Sequence, residues 1–66
     1  MAKGWVHTVY DGGGWANTVE DEDAVSWHLT RYEAVKEGRA EAERRRTDHL
    51  IHDRDGGVVE HNSYAG

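Results

Sequence analysis

Five histidines, three tryptophans and one run of arginines are the residues in this 66-residue chain whose chemistry reaches beyond folding. Imidazoles close to carboxylates are metal ligands or proton carriers. His49 and His52 lie three apart on an expected strand, so they point to opposite faces, and a metal pair there would require a bulge. His7 and His52 become neighbours if the first and fourth strands pair. With Asp53 they form the candidate metal set His7, His52 and Asp53. The plainer reading makes them sheet residues whose ring nitrogens bond backbone groups or tyrosine hydroxyls.

Arg44, Arg45 and Arg46, with Arg39 one to two turns back, form the basic cluster. Its functional reading is a phosphate-contact patch, the alternative role being a nucleic-acid-associated regulator. Its structural reading is that cations at a helix C-terminus complement the macrodipole, with Arg39 and Arg45 each four residues from an acid, Glu43 and Glu41. Thirteen acids against eight Lys/Arg give a net charge of −5, which disfavours general nucleic-acid binding, where cations displace counterions at phosphates. The run Glu20 to Asp23 reads as a solvated loop or, less simply, a site for a divalent cation or basic partner.

Nothing points to catalysis. Cysteine is absent, Ser26 and Ser63 lack an elbow motif, and Gly12 to Gly14 lack the Lys-Ser/Thr of a phosphate loop. The expectation is a protein that is not an enzyme and carries no cofactor. Trp5, Trp15 and Trp27 remain as candidate interaction residues. At least two are expected in the core, because nothing else supplies comparable apolar area. A third, Trp5 foremost, would serve as an exposed anchor for another chain.

Elements must hold these residues in place. A chain this short buries only about 60% of its unfolded surface, so packing is thin and a partner subunit is an economical source of stability. Without cysteine, disulfides and thiolate zinc are excluded. No apolar run approaches the ~20 residues of a membrane span and the start lacks a secretory h-region, so the expected compartment is the cytoplasm. Trp5 to Tyr10 reads as a strand, Asp11 to Gly14 as a turn, and Trp15 to Val19 as the return arm of a hairpin. Ala24 to Leu29 alternates, placing Val25, Trp27 and Leu29 toward a core. Thr30-Arg31-Tyr32-Glu33 is a capping box opening a helix that runs to about Arg46. Ala34, Val35, Gly38 and Ala42 form its inner stripe, small enough for close approach to a sheet. Mid-helix Gly38 implies close contact with a strand or an aromatic ring. Leu50 to His52 and Val58 to His61 form a second hairpin turning at Asp55-Gly56.

His7-Thr8-Val9, Gly14-Trp15-Ala16, the helix opening at Thr30 with Glu33-Ala34-Val35, and Leu50-Ile51-His52-x-Arg54-Asp55-Gly56 occur in one order and spacing. In this the chain resembles the bacterial and phage family known as domain of unknown function 2188, over roughly Val6 to Tyr64. Asn17, where that family prefers an aliphatic residue, and the acidic stretch Glu20 to Asp23 are departures. The resemblance implies no activity. The layout is also similar to small proteins whose β-β-β-α-β units pair into one sheet by exchanging terminal strands.

The reading is therefore an α+β fold of ββ(β)αββ order, an antiparallel sheet with one amphipathic helix packed on one face. Residues 1–4 are expected as a tail, 5–61 as a single domain and 62–66 as a second tail. The expected role is a self-associating interaction module, with a homodimer or another protein as partner and no membrane.

Overall fold

The structure, a computed structural model, describes residues 4–22 and 24–66. Strands β1 (Val6–Asp11), β2 (Gly14–Val19) and β3 (Ala24–His28) precede helix α1 (Arg31–Arg45), and β4 (Asp48–His52) and β5 (Val58–Ser63) follow it. They form one sheet in the order β3-β2-β1-β4-β5. Strand pairs β1–β2, β2–β3 and β4–β5 are antiparallel, as expected. The central β1–β4 pair is parallel, making the sheet mixed. A helix between β3 and β4 explains this: it carries the chain back across the sheet, so β4 enters in the direction of β1.

Local chemistry sets each boundary. Gly12 and Gly13 both have positive φ, 51° and 103°, the conformation of a two-residue hairpin turn between the paired ends Asp11 and Gly14. Thr30 caps α1 by accepting the Glu33 amide at 3.2 Å. The helix closes at Arg46 in the left-handed region, whose amide donates to the Ala42 and Glu43 carbonyls. In the second turn Asp53 Oδ1 accepts the Asp55 and Gly57 amides at 2.9 and 3.0 Å. Strand β5 then runs to Ser63, and the half-buried Tyr64 packs on Val6, Val19 and Ala42. The chain is thus engaged beyond His61, where a tail was expected.

Ala34, Gly38 and Ala42 are the buried residues of α1, and Val35 lies at the stripe's edge. Beneath them lies a polar centre. Thr8, Asn17 and His49, one residue from each of β1, β2 and β4, are at most 1% exposed. Asn17 Nδ2 donates to the Ala34 carbonyl at 2.9 Å and to Ser26 Oγ at 3.0 Å. A carbonyl only accepts, so the amide orientation is settled and Asn17 Oδ1 must be the acceptor for the Thr8 hydroxyl, 2.5 Å away. That hydroxyl has given its one proton, so the His49 Nε2, at 2.7 Å, donates to it. Gly38 sits on this trio, so the close contact that compensates for a mid-helix glycine is with polar side chains of the strands, the His49 imidazole among them.

Candidate functional site

The face of the sheet away from α1 carries the side chains with usable chemistry. Alternation sends Val6 and Thr8 to the helix and Trp5, His7 and Val9 to the other side. On β4 the same rule separates His49 and Ile51 from Asp48, Leu50 and His52. His7 lies opposite Leu50, which lies opposite His61, so this open face is read across three strands.

Pairing of β1 with β4 brings His7 and His52 together, ring centroids 5.1 Å apart, with His7 Nδ1 2.9 Å from His52 Nε2. The outer nitrogens are also engaged. His7 Nε2 is 2.8 Å from Glu20 Oε2, and His52 Nδ1 is 3.0 Å from the Gly56 carbonyl oxygen. Glu20 Oε1 accepts the Trp5 amide at 3.3 Å. A second dyad, His61 Nε2 and Asp48 Oδ2 at 2.7 Å, stands on the same face with Trp5 edge-on to the His61 ring.

Two members of the expected metal set are therefore neighbours and the third is not. The Asp53 carboxylate is held by the loop amides it caps, and its place beside His7 is taken by Glu20. The acidic run is accordingly not a purely solvated loop: Glu20 joins the histidines, and Glu22 bonds Arg45 at 3.0 Å. Asp23 lies outside the described residues. Continued alternation along β2, with Thr18 and Glu20 on one side, was the signal that could have placed Glu20 with His7. Among the described residues no three His, Cys, Asp or Glu side chains converge as a metal-binding group.

The tryptophans separate differently from expectation. Trp15, 8% exposed, belongs to the core on the helix side, with Arg31 stacked 5.7 Å from its ring and Tyr10 edge-on. It is removed from the interaction set. Trp5 is half-buried against His61. Trp27 is 49% exposed. It pairs with Ala16 and lies over Gly14 on the open face, while Ser26 and His28 face the helix side opposite Asn17 and Trp15. The alternation of β3 is thus the reverse of the expected one. Asn17 explains it, because its buried amide requires the Ser26 hydroxyl. A bulge at Val25 completes the mismatch, since Asn17 and Thr18 oppose Ser26 and Ala24. Val25, Trp27 and Leu29, expected in a core, are exposed at 40%, 49% and 76%, and Tyr32 beyond them is exposed as well.

The arginine cluster is largely paired within the chain. Arg44 and Arg45 both bond Glu41, Arg45 also bonds Glu22, and Arg39 approaches Glu43 at 3.5 Å. The Arg45 guanidinium is the main reason that the Glu41 carboxyl is held below its ordinary range. Arg46 closes the helix. Among the described residues no helix is long and apolar enough to cross a membrane.

One helix over a five-stranded mixed sheet, with imidazole–carboxylate pairs on the uncovered face, makes this a small single-sheet α+β protein. Residues 6–64 match the family described as an uncharacterised protein conserved in bacteria, domain of unknown function 2188, and the chain belongs to that family. No curated protein and no solved structure matches it.

Proposed function

We propose that this bacterial-family protein is a non-enzymatic interaction module of the cytoplasm, in bacteria or phage, and that it associates with a second copy of itself. The observation that carries the reading is the corner between β3 and α1. Within eight residues it exposes four large apolar side chains, Val25, Trp27, Leu29 and Tyr32. Trp27 lies on the open face and Tyr32 on the helix, so the four flank the β3 edge from both sides of the sheet. A group of exposed apolar residues is a common mark of a protein contact, whereas single exposed residues need no explanation. A small domain with a thin core gains stability from covering such a corner. The bulge at Val25 breaks the regular ladder of the β3 edge, so the contact is made by side chains rather than by continuing the sheet. Trp27 is the tryptophan at this corner, while Trp5 packs on His61 toward the opposite edge of the sheet.

Light scattering over a dilution series tests the proposal. A dimer mass that falls to the monomer on dilution, with Trp27 emission shifting to the red, is expected. A monomer at high concentration overturns it. The nucleic-acid alternative, through Arg39, Arg44, Arg45 and Arg46, gains no support from a cluster so largely paired with acids.

A further inference from the structure

We infer that His7 and His52 form a two-histidine binding site for a late first-row divalent metal ion such as zinc or nickel. The inference follows from counting protons along the chain Glu20–His7–His52–Gly56. The Gly56 carbonyl can only accept, so His52 Nδ1 carries the proton of that 3.0 Å bond. An ionised Glu20 carboxylate can only accept, so His7 Nε2 carries the proton of the 2.8 Å bond. Two neutral rings with those protons outward present two bare lone pairs, His7 Nδ1 and His52 Nε2, to one another at 2.9 Å. Two acceptors at that distance require a cation between or beside them.

A proton satisfies that requirement, and so does a metal ion. The surroundings favour the metal. Ligating histidines characteristically donate their second ring nitrogen to a carboxylate or a backbone carbonyl, which fixes the tautomer and raises ligand basicity. Both patterns are present, Glu20 behind His7 and Gly56 behind His52. Nitrogens about 2.0–2.1 Å from a shared ion stand roughly 2.8–3.0 Å apart at a bond angle of about 90° and roughly 3.3–3.4 Å apart at a tetrahedral angle, so the observed separation matches the 90° geometry of square-planar or octahedral sites. Imidazole ligands suit zinc, copper and nickel better than magnesium or calcium. The His7 side chain is 21% exposed and Glu20 28%, so an ion can enter from the open face. With Asp53 engaged by its loop, solvent fills the remaining coordination positions. The inference does not depend on self-association.

Titration of the full chain with zinc and with nickel, followed by calorimetry and by ring ¹⁵N chemical shifts, tests it. One ion per chain is expected, moving the His7 and His52 ring signals and leaving those of His49 and His61 in place. His7→Gln and His52→Gln should each weaken binding tenfold or more. Glu20→Gln, which leaves both ligands, should weaken it about 10–100-fold without changing the stoichiometry. Unmoved His7 and His52 signals at stoichiometric metal in the unmodified chain overturn the site and leave a proton as its only cation. Binding that survives both histidine substitutions at full strength also overturns it.

Discussion

Gly38 shows how one residue can be required by what lies beneath it. A Cβ there would fall within 2.6 Å of Thr8 Oγ1 and 2.7 Å of His49 Nε2, and would also overlap Asn17 Oδ1. Helix propensity alone favours Gly38→Ala by about 1 kcal/mol. Each displaced atom, however, is in a buried hydrogen bond, and an orphaned buried polar group costs about 1–3 kcal/mol. The overlap wins, and urea denaturation should show Gly38→Ala less stable by about 2 kcal/mol. A neutral or stabilised variant would mean that the trio is not packed against the helix. His49 adds a pH dependence. Its pKa lies below the ordinary 6.5, chiefly through burial, with Glu60 opposing the shift and His7 adding to it. Below about pH 6.5 the unfolded chain takes up a proton that the folded chain resists, so the unfolded state binds more protons and stability falls with pH. The contribution is complete above that value and is lost as pH falls toward the folded pKa. The urea midpoint should drop over this window, and His49→Gln, which can still donate to Thr8, should flatten the drop. An equal drop in both proteins would assign the effect to the other histidines.

At the scale of elements, the helix and its ends were legible because their signals are local. Thr30 and Glu33 mark the cap, and the small residues at 34, 38 and 42 mark the inner face. The closing residue is less economical. Arg46 has φ 56° and ψ 51°, a conformation in which a side chain costs about 1–2 kcal/mol relative to glycine. Arg46→Gly should therefore raise stability by about 1 kcal/mol, read as a higher melting temperature, even though it removes a cation from the helix end. A lowered melting temperature would show that the Arg46 side chain contributes more than its backbone strain costs. The strands were legible as strands, and alternation put Trp15, Asn17 and Val19 on one face of β2, where all three are buried. The face of β3 was not legible, because the buried Asn17 amide takes the Ser26 hydroxyl as its partner, which reverses β3 and turns Trp27 outward. The direction of β4 was equally hidden, since it depends on how α1 crosses the sheet and not on residues 48–52. Pairing of His7 with His52 could be anticipated as a condition on strand order; the part of Glu20 was masked by the run of acids that reads as solvated, although alternation continued from Thr18 puts it on the side of His7.

The whole molecule raises a competition between charge and apolar surface. A net charge of −5 on each chain opposes bringing two copies together, while Val25, Trp27, Leu29 and Tyr32 favour it. Repulsion between exposed charges is screened within about 10 Å at 0.1 M salt and about 3 Å at 1 M. Burial of apolar surface is not weakened by salt in this way. Self-association of this protein should therefore strengthen as sodium chloride rises from 0.05 to 0.5 M, roughly severalfold in the association constant. Binding through Arg39, Arg44, Arg45 and Arg46 to a nucleic acid would do the reverse, losing affinity steeply over the same range. Leu29→Lys gives the matching variant. Leu29 is 76% exposed, so the single chain should fold with its stability changed by no more than about 0.5 kcal/mol, while a charge in the apolar corner should abolish the dimer. Sedimentation across salt concentrations reads both effects at once: a dimer fraction that rises with salt in the unmodified chain and stays near zero in Leu29→Lys. A dimer that dissolves as salt is added would instead mean that opposite charges hold the copies together, and the contact would have to be sought among the ion-paired arginines and acids of α1.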